Sequence, residues 1–108
     1  MYDDKLESAL ESLVERVRES EECINYRKRF DEVRNDEGAM DAVGRIRELN
    51  MSVQKMSEEE YERRSEEISG RMEELCSDSR VSDFILAEVD FSRMFQYITD
   101  RVVAVLDE

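Results

Sequence analysis

The sequence predicts an all-α protein, a bundle of about four to five helices ending in a long C-terminal helix. Three observations lead there. No proline and only three glycines interrupt 108 residues, charged and apolar residues stand near balance at 42% and 40%, and the apolar ones recur every three or four positions. That recurrence is the period of a helix face and not of a strand.

The first segment sets Leu6, Leu10, Leu13, Val14 and Val17 at helical spacing, with Glu7, Glu11, Glu15, Arg16 and Arg18 mostly off that face. Helix one is therefore predicted from about Asp3 to Glu19. Ser20 is a candidate cap for a second helix, whose Cys23, Tyr26, Phe30 and Val33 step by three, four and three. Spacing alone does not decide whether the chain breaks between the two.

"RNDEG" interrupts the pattern, and Asn35 or Asp36 can cap a third helix carrying Met40, Val43, Ile46, Leu49 or Asn50, Val53 and Met56. "SEEE", Ser57 to Glu60, reads as a capping box. It opens a fourth helix with Tyr61, Ile68, Met72, Leu75 and Cys76 on its apolar positions. Ser77, Asp78, Ser79 and Ser82 are cap candidates for the last helix, which runs from Val81 without Gly, Pro or Asn. Its stripe is wide enough to need cover on more than one side, so self-association is expected. Gly44 and Gly70 fall inside predicted helices, either as tolerated surface glycines or as points of close helix approach.

Residues 1–108 fit one domain with a modest core. A net charge of -13 repels nucleic-acid phosphates and anionic lipid, and either favours basic protein surfaces or cations or serves mainly to keep the protein soluble. Direct nucleic-acid binding is thus not expected. The N-terminal "MYDDKLESAL" has neither a basic region nor an apolar one, and nowhere do about 18 apolar residues run together. A soluble cytoplasmic protein without a membrane role is the expectation.

Histidine is absent, and so are a GxxxxGK stretch and a glycine-rich strand-to-helix turn. The serines sit in cap surroundings without a partnered base. Cys23 and Cys76 fall on apolar faces, far apart in sequence and in no CxxC pair. These features predict no enzyme, no cofactor and no small-molecule substrate. Two rival readings stay in view: a metal or iron-sulfur binder using Cys23 and Cys76, and an acidic decoy for the basic groove of a nucleic-acid-binding protein.

The segment "RVSDFILAEVDFSRMFQYITDRVVAVLD" and the earlier "LVERVRESEECINYRKRFDEVRNDEGAMDAVGRIREL" resemble the closing and opening helices of the YlbF/YmcA family of small bacterial regulatory proteins. The resemblance spans nearly the whole chain. It implies a cytosolic, usually dimeric or hetero-oligomeric regulator without enzymatic activity, whose relatives influence ribonuclease Y-dependent RNA processing, competence, sporulation and biofilm formation. Members that carry iron-sulfur clusters use cysteines near the C-terminus. This chain ends "VVAVLDE" with no cysteine after Cys76, so a cluster-free member is expected. Its expected partners are a second copy or a related family member, within a larger regulatory complex.

Phe84, Phe91, Phe95, Ile98 and Val102 are the candidates for the core or the dimer seam. Glu88 lies within that stripe. A carboxylate there is expected either to meet an arginine or a tyrosine hydroxyl and so fix helix register, or to keep its head in water at the stripe's edge.

Overall fold

The computed structural model describes residues 1–108 and contains five α-helices. They are α1 (Asp4–Glu19), α2 (Glu21–Val33), α3 (Glu37–Gln54), α4 (Glu58–Leu75) and α5 (Ser79–Val103), followed by a 3-10 turn, Ala104–Asp107. The all-helical prediction and the long closing helix both hold.

Each boundary has a local cause. The Asp3 carboxylate accepts from the Leu6 N–H at 2.8 Å and caps α1. Asp4 and Glu7 in the first turn and Arg16 and Arg18 in the last complement the ends of its dipole. Ser20 settles the question of a break: its backbone is extended, at φ -65° and ψ 150°. Its hydroxyl donates to the Val17 carbonyl at 2.6 Å and accepts from the Cys23 N–H at 3.2 Å. One side chain closes α1 and opens α2.

Asp36 caps α3 by accepting from the Ala39 N–H at 3.1 Å. Ser57 caps α4 by accepting from the Glu60 N–H at 3.1 Å. The reciprocal half of the expected capping box is replaced by an ion pair, with the Glu60 carboxylate 3.6 Å from Arg64. At the start of α5 the Asp78 carboxylate accepts from the Arg80 N–H at 2.9 Å.

The chain divides into two units, a terminal one of Met1–Lys28 with Ala87–Glu108 and a central one of Arg29–Leu86. Most of the buried apolar side chains belong to the central unit. Val33, Val43, Ile46, Leu49, Ile68, Val81 and Phe84 are all buried there, and the Phe84 ring lies 5.8 Å from that of Phe30. Phe84 is 1% exposed and is a core residue of its own chain. The predicted face of α3 is the one that is buried, and Ala39 extends it. Gly44 and Gly70 have open space around them, since an added Cβ on either would meet nothing within 4 Å. They are tolerated surface glycines.

An ionic node fastens the ends of the central unit's helices. The Arg80 guanidinium donates to Asp78 at 2.7 Å, to Asp36 at 2.8 Å and to the Glu32 carbonyl, near the end of α2, at 3.4 Å. Those hydrogen bonds hold Asp36 and Asp78 below the usual carboxylate range, and the two carboxylates raise Arg80 in return. Arg29 adds a second tie, 3.4 Å from Glu32 and 3.7 Å from Asp83.

Candidate interaction surface

The terminal unit presents apolar side chains that the chain leaves uncovered. Helix α1 has no buried residue. Leu6, Leu10, Leu13 and Val14 are 47%, 44%, 37% and 52% exposed, and only Val17 of the predicted face is half-buried. The face that helical spacing picks out in α1 is thus left uncovered within the chain. Its seam residues Leu6, Leu10, Leu13 and Val17 advance by four, three and four, the spacing of helices that pair at a shallow angle.

The later part of α5 repeats that spacing. Phe91, Phe95, Ile98 and Val102 advance by four, three and four, and they are the residues the sequence singled out. Phe91 is half-buried, with its ring 5.4 Å from Tyr26 on α2 and 6.4 Å from Phe95. Ile98 is half-buried, while Phe95 and Val102 are 58% and 62% exposed. Glu88 is half-buried beside the buried Ala87, one turn before Phe91.

A groove of about 610 Å³ is lined by Glu21, Glu22, Asn25, Asp90, Arg93 and Tyr97 among others. It brings together ionic and amide groups but no thiol or hydroxyl paired with a base. Cys23 is buried and Cys76 half-buried, both as free thiols. No three Cys, Asp or Glu side chains converge in an arrangement that would hold a metal ion. No helix is long and apolar enough to cross a membrane.

Sequence reasoning missed the Arg80 node. Asp36 and Asp78 were legible only as caps, because the arginine that joins them lies 44 residues from Asp36. It also missed the small buried residues Ala39 and Ala87, which carry no periodic signal of their own.

A family model described as control of competence regulator ComK, YlbF/YmcA, matches residues 6–106. No curated protein and no solved structure gives a significant match.

Proposed function

The chain belongs to the YlbF/YmcA family, and from that premise we propose that it is a non-catalytic cytoplasmic regulator acting through protein–protein contacts. Its first partner is a second copy of itself or a related family member, joined through α1 and the Phe91–Val102 seam of α5. Residues 1–108 act as one YlbF/YmcA-like domain in this reading, since the family match runs over residues 6–106.

The observation that carries the proposal is the pair of uncovered seams. A 16-residue helix with no buried side chain is marginal in water, because helix stability in proteins comes mainly from packing of the apolar face. A partner laid along α1 supplies that packing. Glu88, in the same stripe, serves in this reading to fix the register of the paired helices.

The regulated output follows the family description, control of competence, and the resemblance of both chain ends to regulators of RNA processing, sporulation and biofilm formation. Deleting the gene in its own host and restoring either the natural chain or a Leu10→Asp variant tests this. The natural chain is expected to sediment as a dimer and to restore transformation frequency and transcript 5′-end patterns. Leu10→Asp is expected to sediment as a monomer and to restore neither. A natural chain that stays monomeric both alone and with its related family members, or full restoration by a variant that pairs with neither, would refute the proposal.

A further inference from the structure

The central unit carries a second, smaller apolar opening, at the turn between α3 and α4. A groove of about 450 Å³ there is lined by Val53, Met56, Ser57, Glu58, Tyr61 and Glu62. Val53 and Met56 are half-buried and form the apolar part of its wall. Tyr61 is 45% exposed. An aromatic ring with a polar tip and an adaptable thioether in one groove is a composition common at protein-recognition sites.

The charge around this opening restricts what can enter it. Between residues 51 and 62 one lysine, Lys55, stands against Glu58, Glu59, Glu60 and Glu62. Glu60 is tied to Arg64, whereas Glu58 and Glu62 line the groove itself. A second copy laying its own acidic turn here would set like charges against Glu58 and Glu62. Phosphate-bearing nucleic acid and anionic lipid are repelled for the same reason. The complementary occupant is a basic amphipathic segment of another protein, its apolar residues on Tyr61 and Met56 and its lysines or arginines on the glutamates.

We infer that the α3–α4 turn, with Tyr61 and Met56 as its apolar anchors and Glu58 and Glu62 as its charged rim, is a docking site for a basic amphipathic helix of a partner protein. The inference rests on the adaptor reading above but uses a surface distinct from the self-association seam.

The test is titration of the isotope-labelled full chain with a synthetic Leu/Lys amphipathic helix of about 14 residues, followed by NMR shift mapping. A scrambled peptide of the same composition serves as control. Expected are shifts concentrated at residues 51–62, binding stronger than that of the scrambled peptide, and about tenfold or greater weakening in Tyr61→Ser. A Glu58→Gln/Glu62→Gln variant is expected to weaken binding and reduce its salt dependence. Shifts spread over all acidic stretches, shifts centred on α1 and residues 91–106, or equal binding by Tyr61→Ser would each overturn the inference. Sedimentation of the same samples keeps the two readings apart: a monomeric chain that still binds the peptide at 51–62 defeats the dimer and leaves the docking site standing.

Discussion

Replacing Phe95 by alanine should dissociate the assembly while leaving the helices intact. The ring is 58% exposed in the single chain. Taking about 200 Å² for a phenylalanine side chain, roughly 115 Å² awaits cover, of which alanine forfeits about 100 Å². At about 25 cal/mol per Å² the loss is about 2.5 kcal/mol per chain. In a two-fold dimer both copies lose the ring, so the sum is about 5 kcal/mol, a dissociation constant about 10³-fold to 10⁴-fold weaker. Half coverage still predicts about 100-fold. Sedimentation equilibrium over a concentration series measures the constant, and circular dichroism checks that helicity is kept. Tyr97→Ala is the control, because Tyr97 is also exposed, at 61%, but falls between the seam positions. Its effect should be small. A Phe95→Ala chain that associates as tightly as the natural one, or a Tyr97→Ala chain weakened equally, would refute a seam through Phe95.

Other outcomes follow from residues already placed. Gly44→Ala and Gly70→Ala should each raise stability in urea by about 0.5–1 kcal/mol, since both helix positions are open and a methyl there lowers the entropy of the unfolded chain; a loss of stability would show hidden crowding. Arg80→Ala should change the acid limb of the stability curve. The Arg80 hydrogen bonds hold Asp36 and Asp78 below their ordinary value of 3.8, so their contribution is full above that pH and is lost as pH falls through the lowered folded values. Melting temperature in the natural chain should therefore drop below about pH 4, and the drop should flatten in Arg80→Ala; identical acid limbs would refute the linkage. Glu88→Gln should lower both melting temperature and self-association, and no change in either would remove its register role.

The helices were legible because their signals are local. Asp36 and Ser57 cap within three residues, and Val43, Ile46 and Leu49 fall on one face by spacing alone. Periodicity reports that a face is apolar but not what covers it. Hence Leu6, Leu10 and Leu13 share a legible face that is exposed, while Phe84 and Phe95, alike in sequence, are 1% and 58% exposed. The difference lies in long-range packing: Phe84 has the Phe30 ring beside it in the central unit, and Phe95 lies in the terminal one. Arg80 was unreadable for the same reason, since neither charge nor spacing names a partner so distant in the chain.

Ser20 also decides the topology of the first third of the chain. The segments on either side are good helix formers without proline or glycine, and together with Ser20 they span residues 4–33. Uninterrupted, they would make a straight rod about 45 Å long. What prevents this is one hydroxyl bonded in two directions and the extended backbone it holds, a cap worth about 1 kcal/mol in typical helices. Alanine at this position removes the cap and supplies the best helix former in its place. The bend, and with it the direction in which the α1 leucines face, is therefore one substitution away from a different geometry.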